Sequence, residues 1–190
     1  VSFDDRGDLT LKVGNLEDGD VFEFVICSRA LARASPVFRA MLFGGFSESK
    51  PEGEAWVVKL PEDRPAPFSI LLKIIHGCFC EVPQSLTLED IYQLLVVTNK
   101  YDMLSLASTW FAPYRNLKAR DGNEKLLWMA WELGDQGAFN GMARDLVVTS
   151  EVNKEGQLLD SRGIPFNTYE CFDANGLLDR FLNREVTEQL

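Results

Sequence analysis

An α+β fold, with strands early and helices after, is what the sequence predicts, and three observations carry that expectation. Two short runs near the start alternate apolar and polar residues with period two, the signature of half-buried strands. A third apolar run follows at 55–60 and closes on Pro61. From residue 65 onward the apolar positions recur at helical spacing. A small, mainly antiparallel sheet capped by helices, followed by a helical extension, accommodates all three.

The first run is Leu9-Thr-Leu-Lys-Val13 and the second spans 21–26, with Phe22, Phe24 and Ile26 on one face. Asp18-Gly19-Asp20 lies between them as a turn signal, so the pair reads as a β-hairpin. Such a hairpin is marginal alone in water and needs a cover. Ser28 is placed to cap a short helix carrying Ala30, Leu31 and Ala34. Ser35-Pro36 opens another, with serine as N-cap and proline at the first helical position. Phe38, Met41 and Leu42 make its apolar stripe, and Gly44-Gly45 stops it.

Beyond the third strand, Pro65 and Pro67 suit the first turn of a helix with Phe68, Leu71, Leu72 and Ile75 on one side and Gly77 at its end. Thr87 and Asp90 form a capping-box pattern ahead of Ile91, Leu94 and Leu95. Asp102 is a candidate cap for a helix with Leu104, Leu106 and Trp110, halted by Pro113. A polar, basic connection at 114–120 leads to a helix from Glu124 to Leu133, ended by Gly134, and Asp135 caps the next through Phe139, Met142, Ala143 and Leu146. So short a turn makes the two an antiparallel hairpin. Trp128 and Trp131 share a face and read as a packing seam. A β-hairpin around Ser161-Arg162-Gly163 and a last helix from Gly176 to about Glu188 complete the expectation.

Composition narrows the function classes. The chain has 190 residues, 46% hydrophobic and 25% charged, enough for a sizeable core without staples. Nineteen basic against 29 acidic residues give a net charge of −10, which repels phosphate backbones and disfavours nucleic-acid binding. Cationic runs for an anionic membrane are missing, and no apolar run approaches the roughly 18 residues of a membrane span. Four scattered cysteines, Cys27, Cys78, Cys80 and Cys171, fit a reducing compartment, so a cytoplasmic or nuclear location is expected.

Two ordered segments then carry a resemblance. Phe24-Val-Ile-Cys-Ser-Arg-Ala-Leu31 followed by Ser35-Pro-Val-Phe-Arg-Ala-Met-Leu42, with Asp8 ahead of the first strand, is similar to the signature of the BTB/POZ family. Val57-Val-Lys-Leu60-Pro, Phe68 to His76, and Leu94 to Tyr101-Asp102 continue it in order. The resemblance implies a BTB/POZ domain over residues 1–113, with Asp8, Phe24, Leu31, Ser35, Pro36 and Phe38 as its signature core, and a helical extension over 114–190. The Leu127 to Gly134 run resembles helical extensions that follow BTB domains in many fungal proteins.

That resemblance implies a protein–protein interaction module. Phe46-Ser47-Glu48 matches the hydrophobic-x-Glu element by which BTB adaptors touch cullin-3, so cullin-3 is the candidate partner within a ubiquitin ligase. An exposed aromatic would desolvate in the partner while the carboxylate sets orientation. Phe38, Met41 and the glycine pair would widen that surface; the plainer reading has Phe46 packed on its own domain. A homo-oligomerising scaffold or transcription-associated protein is the alternative. Against it, Cys27 and Ser28 stand where many relatives carry histidine and arginine, so Asp8 lacks the basic partner of their charged pocket. Homodimerisation stays open; the usual N-terminal exchange helix is not among the seven residues before Asp8.

Enzymatic chemistry is not expected. No Gly-x-Ser-x-Gly elbow or Gly-rich phosphate loop occurs, and no cofactor is implied. His76-Gly-Cys78-Phe-Cys80 offers zinc-type ligands, but a structural site needs four and this is the sole histidine. Glu17 with Asp18-Gly19-Asp20 lacks the spacing of a calcium loop. No metal site is expected from either.

Overall fold

A computed structural model of the chain describes residues 1–15, 19, 21–111, 124–149, 151–155 and 158–159. It divides into two compact units, Val1–Phe111 and Ala112–Leu190. The first holds β1 (Leu9–Val13), β2 (Phe22–Ile26), α1 (Ser28–Ala34), α2 (Pro36–Phe43), β3 (Val57–Leu60), α3 (Pro65–Ile75), α4 (Leu88–Lys100) and α5 (Leu104–Phe111), with a 3-10 turn at Phe79–Glu81.

The three-stranded sheet has the order β2-β1-β3. β1 pairs antiparallel with β2, Leu11 facing Phe24, and parallel with β3, Leu11 beside Val58. It is therefore a mixed sheet rather than a mainly antiparallel one. The reason is topological: after β2 the chain passes through α1 and α2 and re-enters the sheet on the far side of β1, running opposite to β2 and therefore parallel to β1. The alternation expected from the sequence holds for Leu9, Leu11, Val13, Phe24, Ile26, Val58 and Leu60, which are buried on one face, but Phe22, expected with them, is exposed at the start of β2. Residues 1–3 run along the outer edge of β2. Ser2 bridges Val25 in parallel, and Val25 exchanges bonds of 2.9 Å with the Val1 carbonyl and the Phe3 amide.

Helices close over that face. Phe38, Leu42, Phe68, Leu71, Leu72, Ile91, Leu94 and Leu95 are all buried, and Leu31 joins them from α1. Phe38 stacks on Tyr101 with centroids 4.3 Å apart and meets Phe68 edge-on at 6.0 Å. Ser35, itself fully buried, explains why a serine precedes Pro36. Its Oγ accepts the Phe38 amide at 3.0 Å as a helix cap and donates to the Tyr101 carbonyl at 2.6 Å, tying α2 to the end of α4. The Thr87–Asp90 capping box at the start of α4 is formed in both directions.

Two caps differ from expectation. Cys27, not Ser28, is the N-cap position of α1, and the buried Ser28 hydroxyl donates to Asp8 instead. Asp102 adopts φ 52°, the left-handed region that aspartate tolerates, so it ends the turn after α4 and does not cap α5. In α3 the inward residue of the last pair is Ile74, while Ile75 is half-buried.

In the second unit, α6 (Glu124–Glu132) and α7 (Gln136–Thr149) pack on each other across a turn in which Gly134 takes φ 67°. Asp135 caps α7 by accepting the Ala138 amide at 3.0 Å. Trp128 is buried at 7% exposure, but Trp131 is 44% exposed and rests against Phe139, centroids 5.4 Å apart. The tryptophan pair is therefore only half a seam, because residues three apart differ by about 60° around the axis. A two-residue strand, β4 (Glu151–Val152), pairs antiparallel with β5 (Leu158–Leu159). The strand at 158–159 thus finds its described partner upstream. Residues 114–120, the Ser161-Arg162-Gly163 turn and the helix expected at 176–188 lie outside the described residues.

Candidate protein-interaction surface

The segment between α2 and β3 is built from its glycines outward. A side chain at Gly44 would collide with the Ala40 carbonyl and crowd the Phe46 ring, and Gly45 takes φ 80°, a region that disfavours other residues. The chain therefore leaves the helix sharply and brings Phe46 back past Gly44. Phe46 is 60% exposed, so it does not fold into its own core. Beside it the Ser47 hydroxyl donates to Glu48 Oε2 at 2.8 Å. Phe43, at the last position of α2, is 51% exposed and meets Trp56 edge-on at 5.8 Å. The end of α2 and the loop after it thus show two exposed aromatic rings and a carboxylate bonded to its neighbouring hydroxyl, the pairing of apolar anchor and polar handle that protein interfaces use.

Of the residues read as partner-facing from the sequence, the structure brings Phe46 and Glu48 together in one loop and leaves Met41 half-buried under it. Phe38 does not belong there. Its 0% exposure and its stacking on Tyr101 and Phe68 place it in the core, where no partner reaches. Phe43 takes that place on the surface and was not anticipated. Helical arithmetic contained the signal, since position 43 lies off the 38–42 stripe.

Asp8 has found other partners for its carboxylate. Ser28 donates twice, from its amide to Oδ1 and from its hydroxyl to Oδ2, each at 2.8 Å. Partial burial pulls the Asp8 pKa upward. Hydrogen bonds from the Ser28 amide and hydroxyl, with the positive charge of Lys50, outweigh it and hold the carboxyl below its ordinary range. Ser28 thus holds the carboxylate by hydrogen bonding rather than by charge. Phe24, Leu31, Ser35 and Phe38 are buried, while Pro36 sits exposed at the first position of α2.

The one histidine is occupied. His76 Nε2 accepts the Cys27 amide at 3.1 Å, and Nδ1 lies 2.9 Å from the Leu72 carbonyl, which fixes the tautomer with its proton on Nδ1. Both ring nitrogens serve the backbone, joining the end of α3 to the start of α1. Among the described residues no group of three or more histidine, cysteine or carboxylate side chains could hold a metal ion. No helix among them is long and apolar enough to cross a membrane.

A buried polar node was also missed from sequence. Asp63, 7% exposed, accepts Lys100 Nζ at 3.0 and 3.1 Å and the Tyr101 hydroxyl at 2.6 Å. Burial raises the Tyr101 pKa first, and the hydrogen bond to Asp63 and its negative charge raise it further. The node clamps the segment after β3 to the end of α4. Lys100, itself partly exposed, also lies 4.0 Å from Glu62.

A small α+β domain whose exposed chemistry is an aromatic hook with a carboxylate belongs to the class of protein-interaction modules. The comparison with protein families gives the specific result: the BTB/POZ domain model matches residues 3–110, over half the chain, and the chain belongs to that family. BTB/POZ domains are protein-interaction domains, and further helices follow this one after residue 110. A search of curated proteins gives no match.

Proposed function

We propose that the protein is an adaptor whose Phe46–Glu48 loop engages cullin-3, placing it among the substrate receptors of a ubiquitin ligase. The observation that carries this reading is the 60% exposure of Phe46 next to a carboxylate already oriented by Ser47. An exposed phenylalanine gains by leaving water, and a pre-oriented carboxylate loses little freedom on binding. The α6–α7 hairpin, read as the start of an extension like those of fungal BTB proteins, would hold the client side through the aromatic notch of Trp131 and Phe139. This reading implies a cytoplasmic or nuclear location.

The test is capture of cullin-3 by the whole protein and by the double variant Phe46→Ala with Glu48→Ala. Wild type retains cullin-3 and the double variant loses it, with unchanged circular dichroism. Equal capture by the two rejects the loop as the contact.

A further inference from the structure

The loop that carries Phe46 and Glu48 is tied down by side chains that do not themselves face outward. Trp56 is 5% exposed, directly before β3, and its backbone carbonyl accepts the Thr10 amide of β1 at 2.9 Å. Its indole Nε1–H, the one polar atom of that ring, donates to the Glu48 carbonyl at 2.8 Å. A buried indole N–H needs an acceptor, and here the acceptor is the backbone of the candidate contact residue. Ser49 completes the tie: its Oγ donates to the Met41 carbonyl at 3.3 Å and accepts the Gly45 amide at 3.2 Å. The Ser49 amide in turn donates to the Phe46 carbonyl at 3.0 Å, closing a turn around Ser47 and Glu48.

We infer that Trp56 and Ser49 are positioning residues for the interaction loop, fixing Phe46 and Glu48 against the sheet so that the contact surface is formed before any partner arrives. This rests on the reading of that loop as the partner-binding element. Physically, thirteen residues separate α2 from β3, and a connection of that length left loose would surrender conformational freedom at every binding event. The indole bond refers the position of Glu48 to β1 through a single side chain. Phe43, packed edge-on against the same indole, is braced by the same device, so one buried ring supports Phe43 directly and Glu48 through its carbonyl.

The experiment compares wild type, Trp56→Phe and Ser49→Ala in the full chain. Trp56→Phe keeps an aromatic ring but removes the N–H; Ser49→Ala cuts the tie from the half-buried side and does not disturb the core. Two quantities are read: hydrogen exchange of the Gly45 and Ser49 amides by mass spectrometry, and affinity for purified cullin-3 by calorimetry. Each variant is expected to speed exchange of those amides and to weaken cullin-3 by about fivefold, as the loss of one net hydrogen bond implies, while exchange in α4 is unchanged. If Trp56→Phe fails to fold, Ser49→Ala alone decides. Unchanged amide exchange in the folded variants overturns the inference. So does wild-type affinity in both variants when the Phe46→Ala, Glu48→Ala double variant has lost binding. Failure of wild type to bind cullin-3 instead rejects the proposed partner, and exchange then decides the positioning role by itself.

Discussion

The two ends of α2 each carry a phenylalanine, and the two rings meet opposite fates. Phe38, in the first turn, is sealed between Tyr101 and Phe68. Phe43, in the last, stands half in solvent against Trp56. Five residues of helix rotate a side chain by about 140°, so the same stripe that buries Phe38 and Leu42 turns Phe43 away from the core. The difference teaches that this helix does two jobs along its length. Its N-terminal end is part of the fold, held by Ser35 and Pro36, and its C-terminal end launches the loop that faces other proteins.

The comparison breaks if the two ends respond alike to truncation. Phe38→Ala should cost about 3–5 kcal/mol in urea denaturation, the range for removing a large aromatic from a packed core. A loss under about 1 kcal/mol would mean the stacked cluster is not what secures this end. A middling effect is expected at Tyr101, the ring that Phe38 rests on. Its pKa in the folded protein lies above the ordinary 10.0, through burial first and then Asp63. Its contribution is therefore complete below about pH 10 and is lost as the pH rises beyond that, where the unfolded chain ionises and the folded one does not. Tyr101→Phe should lose about 1 kcal/mol at pH 8 and then decline less steeply than wild type above about pH 10. Parallel declines would show that the Asp63 node does not hold the phenol neutral. The smallest effect belongs to the outer end: Phe43→Ser should change stability by no more than about 1 kcal/mol while weakening capture of cullin-3. A core-sized loss would erase the distinction between the two ends.

What was legible in the chain is what short-range rules govern. Ser35-Pro36 and the Thr87–Asp90 box announce helix starts because a cap needs its acceptor within three residues. Period-two alternation placed β1 and β2, and their antiparallel pairing follows from a short connection. The parallel return of β3 was not readable, since nothing local states which edge a strand will choose after two helices. Asp102 was misread as a cap because aspartate is favoured both there and in left-handed turns. β4 is two residues long, too short for any period. At the candidate site, Phe46 and Glu48 were found through the hydrophobic-x-Glu element that the family resemblance implies. Trp56, whose bond to Glu48 spans eight residues of loop, and Asp63, which reaches Lys100 and Tyr101, depend on tertiary closeness that no spacing rule encodes.

The strap formed by residues 1–3 alters what the sheet can do in company. Because it occupies the outside of β2, a second molecule arriving there finds its hydrogen-bonding row already taken. Within the three-stranded sheet, the margin along β3 is without a neighbouring strand among the described residues. Ribbon-like growth requires two vacant margins per copy, one to donate and one to receive. With the β2 margin covered, copies joined through this sheet would meet β3 against β3, a self-terminating pair related by a two-fold axis.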